Sequence, residues 1–303
     1  MVMAYAGELF ALGTAFLWAF GSILFSYAGR RVGAFTVNAV RIPIAATFLI
    51  LLSILIQREL FSPSIAGQQF GWLSFSALLG LVIGDGCGFR AMVILGPRVS
   101  SLLAASTPIF AVVFSWLVLD QTLGPVQLSG IAVTLAGLCW VSLERNAKTF
   151  GAEDGGSKVR GYIYAGIGAM GQATGLIAAK IGMQDNMSPL SAAMIRMMAA
   201  AVMIWIVVAG RGKIKKTISD LSDRKASLAM TAAAVVGPVF GIWMSLLSIK
   251  LTKVGVASTL MSTTPLWIIP LVMIIHGERP SARAIIGTII TVGGVALLFL
   301  PAA

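Results

Sequence analysis

Runs of about twenty apolar residues, parted by short polar gaps, fill this chain from end to end. A helix of about 20 such residues crosses the hydrocarbon core of a bilayer. Inside lipid every backbone polar group has to find its partner within a helix or a closed barrel. Barrel strands would alternate apolar and polar residues over about ten positions. No such alternation runs through the chain, so helices are predicted. Ten spans emerge: roughly Glu8–Ala28, Thr36–Ile56, Gly71–Val93, Val99–Leu119 and Pro125–Leu143, then Gly161–Ile181, Ser188–Ala209, Ser227–Ile249, Gly255–Ile275 and Ala282–Leu300. Between the two sets of five lies Glu144–Arg160, charged and glycine-rich, the natural seam between domains at 1–150 and 151–303. The connection Gly210–Arg224 holds either a short amphipathic surface helix or a solvated loop.

The two halves are copies of one another. LLAASTPIFAVVF, from Leu102, returns 157 positions later as TLMSTTPLWIIPL, which lays Thr107-Pro108 on Thr264-Pro265. In the same ungapped register Gly80 meets Gly237, Gly84 meets Gly241, Val99 meets Val256 and Ser101 meets Ser258. Further along, Gly130 meets Gly287, Thr134 meets Thr291 and Gly137 meets Gly294. Five spans per copy is an odd number, so the second copy has to enter the bilayer in the opposite sense. The expected fold is therefore an all-α integral membrane protein, ten transmembrane helices arranged as two inverted five-helix repeats. Inverted repeats of this kind frequent secondary transporters, whose sites lie at the repeat interface near the bilayer midplane.

Composition agrees with that picture: 303 residues, 58% hydrophobic and only 11% charged, against about 25% charged in ordinary soluble domains. The net charge of +11 invites a nucleic-acid reading, but its distribution argues against one. Basic residues gather in two connections, Arg145 to Arg160 and Arg211 to Lys225, where Lys and Arg mark the cytoplasmic face and meet anionic lipid. Both connections lie on the side opposite the termini, which positive-inside counting therefore puts outside the cytoplasm. Cys87 and Cys139 sit inside apolar runs, so neither a disulfide framework nor a metal site is expected.

Chemistry is confined to a few polar residues at depth. Pro108 and Pro265 come about ten residues into their spans, where each deprives the carbonyl four residues back, Ala104 or Met261, of its helical donor. Ser106, Thr107, Thr263 and Thr264 beside them can satisfy their own helix or face a solute. Asp85, in GLVIGDGCGFR, is the carboxylate furthest inside a span. A charge there costs on the order of 3 kcal/mol, so it has to pair or face water. Two roles are open: a proton carrier or acceptor for a substrate ammonium, or a structural ion pair with Arg41, Arg90 or Arg196. Arg41 lies early enough in its span to snorkel to an interface. Arg196, its equivalent in the second copy, lies some 12 Å deep, and its natural ligand is a substrate carboxylate. Trp18, Trp243 and Trp267 are placed to wall a cavity, with Asn38 and Gln172 adding neutral polar contacts. His276, beside Glu278 at a span end, reads as an interfacial residue or a proton sensor.

In order and in duplicate, these features resemble the drug/metabolite transporter superfamily, in its ten-helix EamA-type branch. The matching residues are Trp18, Gly21, Arg41, Pro108 and Gly130–Gly137 in the first copy. The second supplies Gly175, Arg196, Pro265, Gly277-Glu278 and Gly287–Gly294. One departure is visible: Asp120-Gln121 stands where the second copy has Gly277-Glu278. The resemblance implies a secondary active transporter in a bacterial inner membrane, moving a small-molecule substrate by alternating access and most often exporting amino acids or related metabolites. Vitamin and multidrug transport are the alternatives within that architecture. It also implies cytoplasmic termini, contrary to the charge count. Spans five and ten are expected to pack the halves together at the periphery or to meet a second copy in a homodimer. No cofactor is implied. The sequence offers no nucleophile with a base and no phosphate-cradling loop with its lysine, so an intramembrane enzyme or an ATP-driven pump is not expected. A channel or scaffold remains the rival from another class.

Overall fold

A computed structural model describes residues 5–58, 67–142, 158–184, 187–276 and 282–299. The Gly277-Glu278 pair, most of the seam between the copies and the side chain of His276 lie outside the described residues. Fourteen α-helices and two π-helical segments make up the described elements. The first copy comprises α1 (Ala6–Val32), α2 (Ala34–Gln57), α3 (Gly67–Ala77), a π segment (Leu78–Gly84), α4 (Asp85–Ala104), α5 (Thr107–Leu119) and α6 (Pro125–Ser142). The second comprises α7 (Lys158–Gly182), α8 (Pro189–Gly210), the surface helix α9 (Ile214–Asp220), α10 (Arg224–Ala234), a π segment (Val235–Gly241), α11 (Ile242–Leu251), α12 (Val254–Met261), α13 (Thr264–His276) and α14 (Ala282–Leu298). Five stretches are long and apolar enough to cross a membrane: Ala6–Gly29, Phe35–Gln57, Gly67–Ala91, Pro189–Gly210 and Arg224–Leu251. Thr107–Leu119, Pro125–Trp140 and Ile285–Leu298 are shorter apolar helices.

Local structure repeats with the sequence register. The π segments begin at Leu78 and Val235, 157 positions apart, and the breaks at 105–106 and 262–263 keep the same spacing. Each break is closed in the same way. The Ser106 hydroxyl donates to the Leu103 carbonyl at 2.6 Å, and the Thr263 hydroxyl donates to Leu260 at 2.6 Å. A proline then follows in the first turn of the next helix, where its missing N–H is not needed. Pro108 and Pro265 thus start α5 and α13 instead of kinking a continuous span.

One predicted boundary is corrected. No connection separates the third span from the fourth near 94–98; helix runs from α3 to Ala104, through Gly96 and Pro97. Gly161 of α7 explains how that stretch is held: a Cβ there would lie 2.5 Å from Leu95 and 3.0 Å from Ile94. The bare backbone lets α4 lie flat along α7.

Packing between the copies is crossed. Helix α7 runs antiparallel to the α3–α4 rod, with Gly182 at Leu73, Gly175 at Gly80, Gly171 at Gly84 and Gly168 at Gly88. Its counterpart α1 runs antiparallel to α10–α11. Thr252 donates to Glu8 at 2.7 Å at one end, and Arg31 bonds Asp223 at 2.7 Å at the other. So each copy's first helix is embraced by the other copy. Helices α6 and α14 also cross antiparallel, Gly130 against Gly294 and Leu298, Gly137 against Thr291 and Gly287. Thr134 and Thr291 turn their hydroxyls onto the carbonyls of Gly130 and Gly287 at 2.7 and 2.8 Å, which keeps this apolar crossing free of unmet polar groups.

Candidate functional site

Asp85 is the first residue after the first π segment, and its backbone N–H reaches back to the Gly80 carbonyl, five residues earlier. That wide turn delivers the carboxylate to the crossing of the two copies. One oxygen accepts a hydrogen bond and ion pair from Arg41 Nη2. The other accepts from Gln172 Nε2 of α7, which also donates to the Gly80 carbonyl at 3.1 Å. The carboxylate therefore ties α2, α4 and α7 together, two helices from one copy and one from the other.

Arg41 does not reach an interface. Only 2% of it is exposed, because Asn38 Oδ1 accepts from its Nε at 3.0 Å and three rings surround its guanidinium. Trp18, Phe25 and Phe89 have centroids 5.7, 5.5 and 5.2 Å from Cζ. Cation–π attraction strengthens when both partners are desolvated. Arg196 is 3% exposed and lies with Nη2 over the first π segment, 3.4 Å from where a Cβ on Gly80 would stand. Its Nε has no hydrogen-bond partner among the described residues.

A narrow crevice of about 170 Å³, nowhere wide enough for a water, opens beside Asp85 and is lined by Trp18, Arg41, Ile42, Leu81, Met197, Pro238 and Ile242. With Asp85 itself, six of the eight walls form pairs across the repeat: Leu81 with Pro238 and Asp85 with Ile242 at 157 positions, and Ile42 with Met197 at 155, the spacing that also relates Arg41 to Arg196. The crevice therefore straddles the pseudo-twofold relation between the copies.

Of the residues singled out from the sequence, Trp18, Asn38, Asp85, Gln172 and Arg196 come together at this centre. Thr107, Pro108, Thr264 and Pro265 do not line the crevice; Thr264 donates to the Met261 carbonyl at 2.9 Å, one of the acceptors freed by the prolines. Trp243 packs against the main core beside Phe240, 6.5 Å away. Trp267 meets Phe16 of α1 edge-on at 5.4 Å. Arg90, a candidate partner of Asp85, instead donates to Tyr164 at 3.1 Å. Of the three partners the sequence offers for Asp85, Arg41 is the one that pairs with it; the aromatic neighbours Phe25 and Phe89 and the apolar walls were not foreseen. The register of 157 residues pairs Leu81 with Pro238 and Asp85 with Ile242, whereas pairing Ile42 with Met197 takes the spacing of 155 that relates Arg41 to Arg196.

Both ends of the crossing carry polar ties. At one, Thr36 donates to Asp220 at 2.6 Å, and Arg31 pairs with Asp223, which also caps α10 through the Ala226 N–H at 3.0 Å. That N–H, then Arg31, hold the Asp223 carboxyl below its ordinary range. Burial pushes Asp220 up, but hydrogen bonds from Thr36 and Lys216 outweigh it and hold the group low. At the other end Lys180 donates to the Thr252 carbonyl at 2.9 Å, and Lys253 to Thr122 at 2.7 Å.

Comparison with known proteins gives a consistent outline. The profile of the EamA-like transporter family matches the chain twice, over residues 5–143 and 159–300. Twenty-nine chains of solved structures resemble it. One crystal structure superposes with a TM-score of 0.75, covering 98% of this chain and 97% of its own at 20% identity, a likeness of fold. No curated protein matches.

Proposed function

The chain belongs to the EamA-like transporter family, within the drug/metabolite transporters, and we propose that it exports amino acids or related small metabolites across a bacterial inner membrane. That it is a multi-pass membrane transporter follows from the family and from its apolar helices. We read the ten spans as two inverted units that open alternately to the two sides. The observation that carries this reading is the crevice whose walls pair across the repeat, at the point where each copy grips the other's first helix. A solute admitted there lies between two near-equivalent half-sites. Closing one set of contacts while opening its equivalent moves the access path from one face to the other.

The chain's own residues divide the work. Asp85, held by Arg41 and Gln172, is the coupling group, carrying a proton or receiving a substrate ammonium. Trp18 and the paired apolar walls close around the solute and exclude water. The broken helices α4–α5 and α12–α13 hinge at Ser106 and Thr263, whose hydroxyls keep the exposed carbonyls satisfied as the segments tilt.

Reconstitution into liposomes tests the reading. With a panel of amino acids, vitamins and cationic drugs, preloaded substrate should accelerate uptake of labelled substrate, the counterflow that a carrier shows and a channel does not. Asp85→Asn should abolish the response to an imposed proton gradient. Gradient-driven transport that survives the substitution would remove Asp85 from the coupling step.

A further inference from the structure

We infer that the centre selects solutes of one net negative charge and takes their carboxylate on Arg196; this rests on the transport reading of the same site. The repeat itself carries the argument. Arg41 and Arg196 are equivalent, 155 positions apart. The first has a full set of partners: Asn38, Asp85 and three aromatic rings. In the second copy the position equivalent to Asn38 is Ala193, and the position equivalent to Asp85 is Ile242. The second copy has the guanidinium without either of those acceptors.

Nothing else described makes good the loss. Arg196 is 97% buried, its Nε is unpartnered, and it forms no ion pair among the described residues. Both carboxylate oxygens of Asp85 are already engaged by Arg41 and Gln172. Two guanidiniums and one carboxylate leave the centre one positive charge in excess. An unpaired cation at such depth is costly and is characteristically retained for function. A planar guanidinium matches a carboxylate through two parallel N–H bonds. A monoanion brings the centre to neutrality, whereas a zwitterion leaves the excess in place and a cation adds to it.

Matched pairs differing only by carboxylate and carboxamide test this: glutamate and glutamine, aspartate and asparagine, N-acetylglycine and N-acetylglycinamide. Two readouts are taken in chloride-free sulfate buffer, the melting temperature of the detergent-purified protein and competition in counterflow. Each carboxylate member should act at a concentration at least about tenfold below its amide, the discrimination expected of charge-assisted hydrogen bonds. Arg196→Gln should shrink that ratio to within about threefold, and Arg196→Lys should keep part of it. Ile242→Asp, which supplies a carboxylate at the position equivalent to Asp85, should remove the preference in both readouts. Free of ligand, the Arg196→Gln protein should melt no lower than the parent.

Equal action of acid and amide in the parent, or a marked drop in the melting point of ligand-free Arg196→Gln, would overturn the inference; the latter would make Arg196 a structural residue. Protection by added chloride alone, without discrimination among the organic pairs, would overturn it too, assigning the cation to an inorganic ion. Counterflow without charge preference would sink the inference and leave the transport reading standing. Carboxylate-selective protection without counterflow would do the reverse.

Discussion

A buried ion pair is judged by what happens when half of it is removed. Arg41, buried, and Asp85, mostly buried, neutralise one another, so deleting either strands the other. Arg41→Leu is expected to destabilise the protein by about 3–5 kcal/mol, the penalty of an uncompensated buried charge. The double variant Arg41→Leu with Asp85→Leu should recover most of that, read as melting temperature in detergent. The same residues mark how much of the centre was legible. Asp85 stood out because a lone carboxylate in an apolar run needs a reason to be there. Arg41 stood between pairing with Asp85 and reaching an interface, because depth was counted from a span start at Thr36, whereas α2 begins at Ala34 and rings surround the side chain. Trp243 and Trp267 do not line the crevice and pack instead against Phe240 and Phe16. Distance along a helix is written in the sequence; which neighbour a side chain meets depends on how the helices cross.

Helix crossings are where the small residues matter. On α14, Gly294 faces the Gly130 carbonyl, 2.9 Å from where a Cβ would stand, while a Cβ on its neighbour Gly293 would meet nothing within 4 Å. Gly294→Ala should therefore cost about 1–3 kcal/mol through overpacking. Gly293→Ala should be neutral or slightly stabilising, since alanine is the better helix former. Thermal unfolding of the pair measures the contrast in one experiment. The repeat of glycines and threonines was plain in the sequence, though its partner was not. Spans five and ten were left between two roles, and the structure packs them against each other within one chain. Helix interruptions divided similarly. The Thr-Pro pairs announced a disturbance, but the full break needed the Ser106 and Thr263 hydroxyls to hold the carbonyls behind it. The π segments carried no sequence signal, since a widened turn is set by the helix packed against it.

Over the whole molecule, contacts between the copies matter as much as those within them. Helix α7 lies in the first copy's grip and α1 in the second's, so neither copy can bury its own faces alone. Produced separately, 1–150 and 151–303 should each be degraded or aggregate. Co-expressed, they should assemble and co-purify through a tag on either one. Independent folding of either piece, seen as a protease-resistant core, would contradict the crossed packing. This level was the most legible of all. The sequence repeat pointed to opposed copies, and the antiparallel meeting of α6 with α14 fits that expectation, although the unbroken rod of α3 and α4 removes the turn counted between the third and fourth spans of the first copy. The continuous rod from Gly67 to Ala104 was not foreseen, because spans were divided between Val93 and Val99, where the contact of Ile94 and Leu95 with Gly161 of α7 is out of view.

The divergence of Asp85 from Ile242 and of Leu81 from Pro238 has a consequence for the resting molecule. A carrier built from two identical opposed units would have two facings of equal energy, and with nothing bound it would divide its time evenly between them. Each unmatched pair of walls lifts that degeneracy. On the alternating-access reading, a protein with a carboxylate on one side of its axis and an isoleucine on the other has a preferred direction to face while it waits.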